Sequence, residues 1–218
     1  MTNSPTTLLI VDDDPSVRLT LSHVLTEIGY CVRSADDGFS ALREIRNEAP
    51  ALLLSDLNMP NMSGFELLSV VRKRFPAIRT IAMSGSFSGD EVPSGVAADG
   101  FYQKGCSIAA LLRIINSLPN TERQVARPSS PESPQWIHRD ALDSSPEGYV
   151  TITCSECLRS FPVALGADRL KQQTDCIFCG SSIYYAVVCP ADQMPLEGFQ
   201  LETAASRLFP PSVSNLTY

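Results

Sequence analysis

Over the first 120 residues, five short apolar runs alternate with segments of helical period, and that alternation leaves few folds open. The run "TLLIV" ends at Asp12. "PSVRLTLSHVLTEIG" then places Val17, Leu21, Val24, Leu25 and Ile28 on one helical face. "YCVRSA" reads as a strand, "GFSALREIRNEAP" as a helix stopping before Pro50, and "ALLLSD" as a fully apolar strand ending at Asp56. "GFELLSVVRKRFP" is helical, "TIAMS" and "GFYQK" are strands, and "SIAALLRIINSLP" is a last helix. Apolar strands separated by helices must be buried on both faces, which implies a parallel α/β sheet covered by helices on each side. Between Ser86 and Asp99, Gly89, Pro93 and Gly95 allow only a short or distorted helix.

In such a sheet, ligands bind beyond the carboxyl ends of the strands. Asp12 and Asp13 close the first strand, Asp56 the third, Ser84 the fourth and Lys104 the fifth. Three carboxylates, a hydroxyl and an ammonium therefore meet at one edge. Gathered carboxylates favour a hard divalent cation such as Mg²⁺, and the lysine suits a phosphoryl group. The neighbouring Asp14 has a different task. It precedes Pro15, which fits the first helical position, so Asp14 is expected to cap the first helix.

These pieces, "LLIVDDDPSVR", "LLLSDLNMPNMSGFELL", "IAMSG" and "DGFYQKG", resemble the receiver domain of two-component response regulators over residues 5–120. The resemblance implies a flavodoxin-like sheet of five parallel strands. It further implies Asp56 as phosphate acceptor, and Asp12, Asp13 and the backbone carbonyl of Asn58 as Mg²⁺ ligands beside it. Lys104 would bind the phosphoryl group, with Ser84 as switch hydroxyl and Phe101 as switch aromatic. The implied partner is a sensor histidine kinase or phosphotransfer protein, and the implied chemistry is the receiver's own phosphoryl transfer and dephosphorylation, not turnover as an enzyme. Two departures stand out: Gly105 follows Lys104 where the family usually has proline, and Ser84 replaces the commoner threonine. A reading of another class takes "LLIVDDDPS" as the start of a haloacid-dehalogenase-type phosphatase, with Asp12 as nucleophile and Asp14 as acid. It leaves "DLNMPNMSG" unexplained and lacks that family's late acidic pair, since no carboxylate follows Lys104 until Glu122.

The second half of the chain carries its own signal. "CSEC" (Cys154, Cys157) and "CIFC" (Cys176, Cys179) are two C-x₂-C pairs with 18 residues between them. That spacing predicts a tetrahedral Zn²⁺ site of structural type, each pair clasping the ion from one turn of a small β-rich zinc ribbon over residues 149–190. Gly180 fits the turn after the second pair. Cys189 is expected in the core of "YYAVVC", and Cys31 and Cys106 as packing residues of a strand and a loop. Residues 121–148, rich in proline and serine and containing the sole tryptophan, Trp136, read as a linker. Residues 191–218 form a tail with one helical stretch.

Charge narrows the partners. The chain carries a net charge of −7. From Thr121 onward seven basic residues face eleven acidic ones, for a net of −4. That is contrary to a nucleic-acid footprint, so an unidentified downstream protein is the expected partner and nucleic acid the alternative. The sequence shows neither a secretory start nor an apolar run of membrane-spanning length, and a cytoplasmic setting is expected.

Overall fold

The computed structural model describes residues 5–85, 96–118, 134–138, 149–164 and 172–188. The first region runs β1 (Thr7–Val11), α1 (Pro15–Glu27), β2 (Cys31–Ala35), α2 (Gly38–Asn47), β3 (Leu52–Asp56), α3 (Gly64–Arg74), β4 (Arg79–Ser84), β5 (Gly100–Gln103) and α4 (Ile108–Ser117). Its five strands form one parallel sheet in the order β2-β1-β3-β4-β5. The alternation of side chains along β1 explains the two-sided cover. Leu8 and Ile10 join Leu21 and Leu25 of α1 and Leu111 and Ile115 of α4 in one core. Leu9 and Val11 join Ala41, Leu42 and Ile45 of α2 and Phe65 and Leu68 of α3 in the other. The expected α/β architecture is therefore present, and the helix starts are capped as the residue types require. Asp14 accepts the Ser16 amide at 2.7 Å, and Ser63 and Ser107 cap α3 and α4. Among the described residues no helix is long and apolar enough to cross a membrane.

The remaining strands are β6 (Gln135–His138), β7 (Tyr149–Thr153), β8 (Ser160–Ala164), β9 (Gln172–Asp175) and β10 (Ser182–Val188). Antiparallel pairs β7–β8 and β9–β10 form two hairpins, one around each cysteine pair. Strand β6 lies inside the stretch read as linker and adds in parallel to β10. A small core of Ile137, Val150, Ile152, Phe161, Ile183 and Tyr185 fills the module. It does not stand apart from the sheet domain: Trp136 and Leu158 pack against the core that contains α2 and α3.

One expectation is corrected. Cys31 and Cys106 are exposed rather than buried, because Cys31 opens the edge strand β2 and Cys106 sits in the turn after β5, its thiol 3.9 Å from Gln103 Oε1. Of the doubtful helix between Ser86 and Asp99, residues 96–99 are not helical, and the rest, like the place of Cys189 and the tail helix, lies outside the described residues.

Candidate functional site

The parallel order β2-β1-β3-β4-β5 brings the ends of β1, β3, β4 and β5 together, and with them the predicted residues. The Lys104 ammonium lies 2.8 Å from Asp12 Oδ2 and 3.0 Å from Asp56 Oδ2. Asp12 is fully buried and Asp56 4% exposed, while Asp13 and Asn58 are open to solvent. One ammonium against three carboxylates leaves the pocket strongly negative. Burial, the largest effect, raises the Asp56 pKa above its ordinary value; Lys104 opposes this and Asp12 adds to it. Burial alone would lower Lys104, but its bonds to Asp12 and Asp56 hold it above the usual value, so it stays charged. The Lys104 amide donates to Ser84 O at 2.9 Å, which fixes the end of β5 against β4. Ser84 and Phe101 are both buried at this edge. Gly105 has φ +89°, which proline cannot adopt, so the departure from the family pattern belongs to a different turn.

Carboxylate oxygens of Asp12, Asp13 and Asp56 lie within 4.8 Å of one another. An all-oxygen donor set with excess negative charge and one open flank fits a hard divalent cation that keeps part of its water shell. Arg18 shapes this loop, donating to Asp12 O at 2.6 Å and Asp13 O at 3.0 Å. Nothing in its sequence position signals that role beyond a place one turn into α1. Asp14 is exposed, accepts the Ser16 amide as the cap of α1 and stands outside the cluster of Asp12, Asp13 and Asp56, which disfavours the phosphatase reading that needs it as the acid.

The loop after Asp56 is held tightly. A Cβ on Gly64 would lie 1.8 Å from Asp56 O, so only glycine lets α3 start this close to the acidic pocket. The Gly64 amide donates to Leu57 O and the Leu57 amide to Met83 O.

The second cluster is built from two matching turns. Leu158 N–H donates to Cys154 O, and Gly180 N–H to Cys176 O. Cys154 N–H meets Arg159 O, and Cys176 N–H meets Ser181 O. Leu158 and Gly180 carry the positive φ values, 55° and 75°, that turn the chain after each pair. The four sulfurs lie within 4.8 Å of one another, with Cys154–Cys179 at 3.7 Å and Cys157–Cys176 at 3.6 Å. A tetrahedral Zn²⁺ with Zn–S of about 2.3 Å would hold its sulfurs about 3.8 Å apart, so the cluster fits that ion. Burial pushes the Cys154 thiol up to about 12, whereas the Ser181 hydroxyl and amide bring Cys179 down to about 6. A bound cation would supply the charge that lets the buried thiol ionise.

Sequence reasoning missed the residues that join the two regions. Glu66, on the first turn of α3, is 4% exposed. Its Oε1 accepts the Thr153 amide at 2.7 Å and Gln135 Nε2 at 3.3 Å. One turn further, Ser69 Oγ accepts the Trp136 amide at 3.1 Å. The available signal was the pair Glu66 and Ser69, three residues apart on a helix whose other positions from Phe65 to Val71 are apolar.

Comparison with known proteins agrees with this geometry. The response regulator receiver domain family matches residues 8–116. The transcriptional activator protein ExaE of Pseudomonas putida is 34% identical over 112 residues, covering 50% of this chain and 52% of that protein. The transcriptional regulatory protein GlrR of Escherichia coli is 37% identical over 98 residues, covering 45% of this chain and 21% of that protein. The chain thus spans about half, or less, of the length of these relatives. Among solved structures, the chemotaxis response regulator CheY4 of Vibrio cholerae aligns with a TM-score of 0.49 and 29% identity over 53% of this chain and 99% of that one. With the matched segment making up half of its length and containing the whole acidic pocket, the chain belongs to the response regulator receiver domain family.

Proposed function

We propose that this chain is a response regulator that takes a phosphoryl group on Asp56 from a histidine kinase or phosphotransfer protein and passes the signal on through its four-cysteine module. The observation that carries this reading is the Lys104 ammonium set between the buried carboxylates of Asp12 and Asp56. An Asp56 carboxylate oxygen attacks phosphorus, the phosphorus–nitrogen bond of the donor phosphohistidine breaks, and the imidazole leaves with the bonding pair. Lys104 is already held at the pocket, so it neutralises phosphoryl oxygens without reorganisation. Asp12, Asp13, Asp56 and the Asn58 carbonyl would hold Mg²⁺, which would add positive charge beside those oxygens. A groove of about 390 Å³, lined by residues including Ser16, Val17, Thr20, Tyr102 and Lys104, opens beside the pocket and supports approach of the donor there. Ser84 and Phe101 are the proposed switch pair: the hydroxyl moves to the phosphoryl group and the ring fills the space behind it.

The chain is divided, on this reading, into a receiver (5–120), a linker (121–148), a zinc-ribbon-like module (149–190) and a tail (191–218). Zinc at Cys154, Cys157, Cys176 and Cys179 is structural, since four thiolates leave no open position. The output is a downstream protein, in keeping with the net charge of −4 from Thr121 onward. Incubation with Mg²⁺ and a small acyl phosphate tests the phosphoryl reading: label enters the wild type and not Asp56→Asn. Label undiminished in that variant contradicts the assignment. For the output, full-length protein titrated with mixed DNA and RNA should bind weakly at low and moderate salt. Tight binding that collapses with salt would favour a nucleic-acid regulator instead.

A further inference from the structure

The receiver and the cysteine module meet on α3, and two of the module residues that make this contact, Thr153 and Leu158, are sequence neighbours of cluster cysteines. On the receiver side, α3 begins against the backbone of Asp56: a Cβ on Gly64 would lie 1.8 Å from Asp56 O, and Glu66 follows two residues on. On the module side, the Thr153 amide that meets Glu66 Oε1 at 2.7 Å immediately precedes Cys154. Leu158, which packs on the receiver core, directly follows Cys157 and closes the same turn by donating its N–H to Cys154 O. A cation gripped by that turn therefore sets the positions of both the donor and the apolar group that dock on α3. The interface is also imperfect. Gln135 Oε1 is buried without a hydrogen-bond partner, and Glu66 is a carboxyl taken out of water. Partial satisfaction of buried polar groups leaves an interface whose attachment is readily biased.

Resting on the function proposed above, we propose that the four-cysteine cluster and Asp56 are coupled through the first turn of α3, zinc binding and phosphoryl acceptance each disfavouring the other, with Glu66 as the positioning residue between them. The docked arrangement is the one in which the Asp56 carboxylate pairs with Lys104. A phosphoryl group on Asp56 draws Lys104 to its own oxygens and displaces the loop from Leu57 to Ser63 on which α3 begins. The first turn of α3 then shifts, Thr153 loses its acceptor, and the turn that holds the metal loosens. Linkage makes the effect reciprocal for binding affinities.

Zinc affinity of the full chain tests this, measured by competition with a chromophoric chelator, with and without Mg²⁺ and beryllofluoride as a phosphoryl mimic. Trp136, the sole tryptophan, reports docking in the same samples. The expected result is zinc binding at least about fivefold weaker with the mimic, the lower end of ordinary allosteric coupling. A red shift of tryptophan emission should accompany it. Glu66→Ala should still bind zinc, with the two affinities made equal. Glu66→Gln, which keeps an acceptor oxygen for Thr153, should restore the difference. Ser69→Ala, a milder change at the Trp136 amide, should reduce it. Affinity that is unchanged or tightened by the mimic, in protein that demonstrably binds both zinc and beryllofluoride, overturns the coupling alone. Glu66→Ala protein that retains the full difference overturns the role of Glu66. Failure to bind zinc at all, or beryllofluoride that binds equally to Asp56→Asn, overturns the underlying reading of the sites.

Discussion

Asp12, Asp13 and Asp14 are adjacent in sequence and chemically separate. Asp12 is sealed against Lys104, Asp13 is open to solvent, and Asp14 holds the α1 amides. Repulsion within the pocket should make the receiver more stable when a divalent cation binds. Mg²⁺ at about 100 times its Kd is expected to add about 2.7 kcal/mol, read as a rise in Tm. Asp13→Asn should shrink that rise by weakening Mg²⁺ binding, and a rise of equal size in the variant would remove Asp13 from the ligand set. Lys104→Ala should slow phosphoryl transfer by roughly 10²–10³-fold, the cost of losing a preorganised charge at the reacting oxygens. An undiminished single-turnover rate would exclude that role. The pocket acids and Lys104 were legible because each stands at the end of an apolar run, where strand direction alone fixes its place. Arg18 was not, since its value lies in two backbone carbonyls that no sequence pattern displays.

At the scale of elements, α3 decides the architecture. It starts against Asp56, buries every residue from Gly64 to Val71, and receives β6 and the β7 end on its far side. Gly64→Ala should destabilise the receiver by several kcal/mol, because the added carbon overlaps the Asp56 carbonyl and α3 must shift to make room. Chemical denaturation measures it, and a change below about 1 kcal/mol would show that α3 shifts freely. Burial of Glu66 gives docking a pH dependence. Its pKa rises from 4.5 to about 7, so the docked state holds a proton that the released state gives up. Docking is then strongest below about pH 4.5, weakens as pH rises through about 7, and levels off above that. The full change is on the order of 3 kcal/mol. Tryptophan emission followed across this range should show the loss in wild type and a flat response in Glu66→Gln; identical curves would contradict it. The helices and strands of the receiver were readable because apolar period and capping residues agree. Strand β6 was not: four residues between prolines and serines carry no period, and they become a strand only by pairing with β10.

The whole molecule combines a receiver that has two large cores with a module whose own core is small. On the proposed reading, a module of this size relies on zinc to hold its fold. Chelation should therefore expose residues 149–188 to rapid hydrogen exchange and leave the β1–β4 amides protected; loss of protection in both would mean that the receiver does not fold independently. The cysteine spacing disclosed the cluster, yet nothing in it disclosed the docking on α3, which depends on the Glu66 side chain meeting a backbone amide 87 residues away. Signalling by the proposed route begins with one chemical event, formation of an acyl phosphate on Asp56. Borohydride reduction converts a phosphorylated aspartate to homoserine. After treatment with Mg²⁺ and an acyl phosphate, peptide mass mapping should place homoserine at position 56 and nowhere else. Homoserine at position 12, or at none of the pocket aspartates, would contradict it.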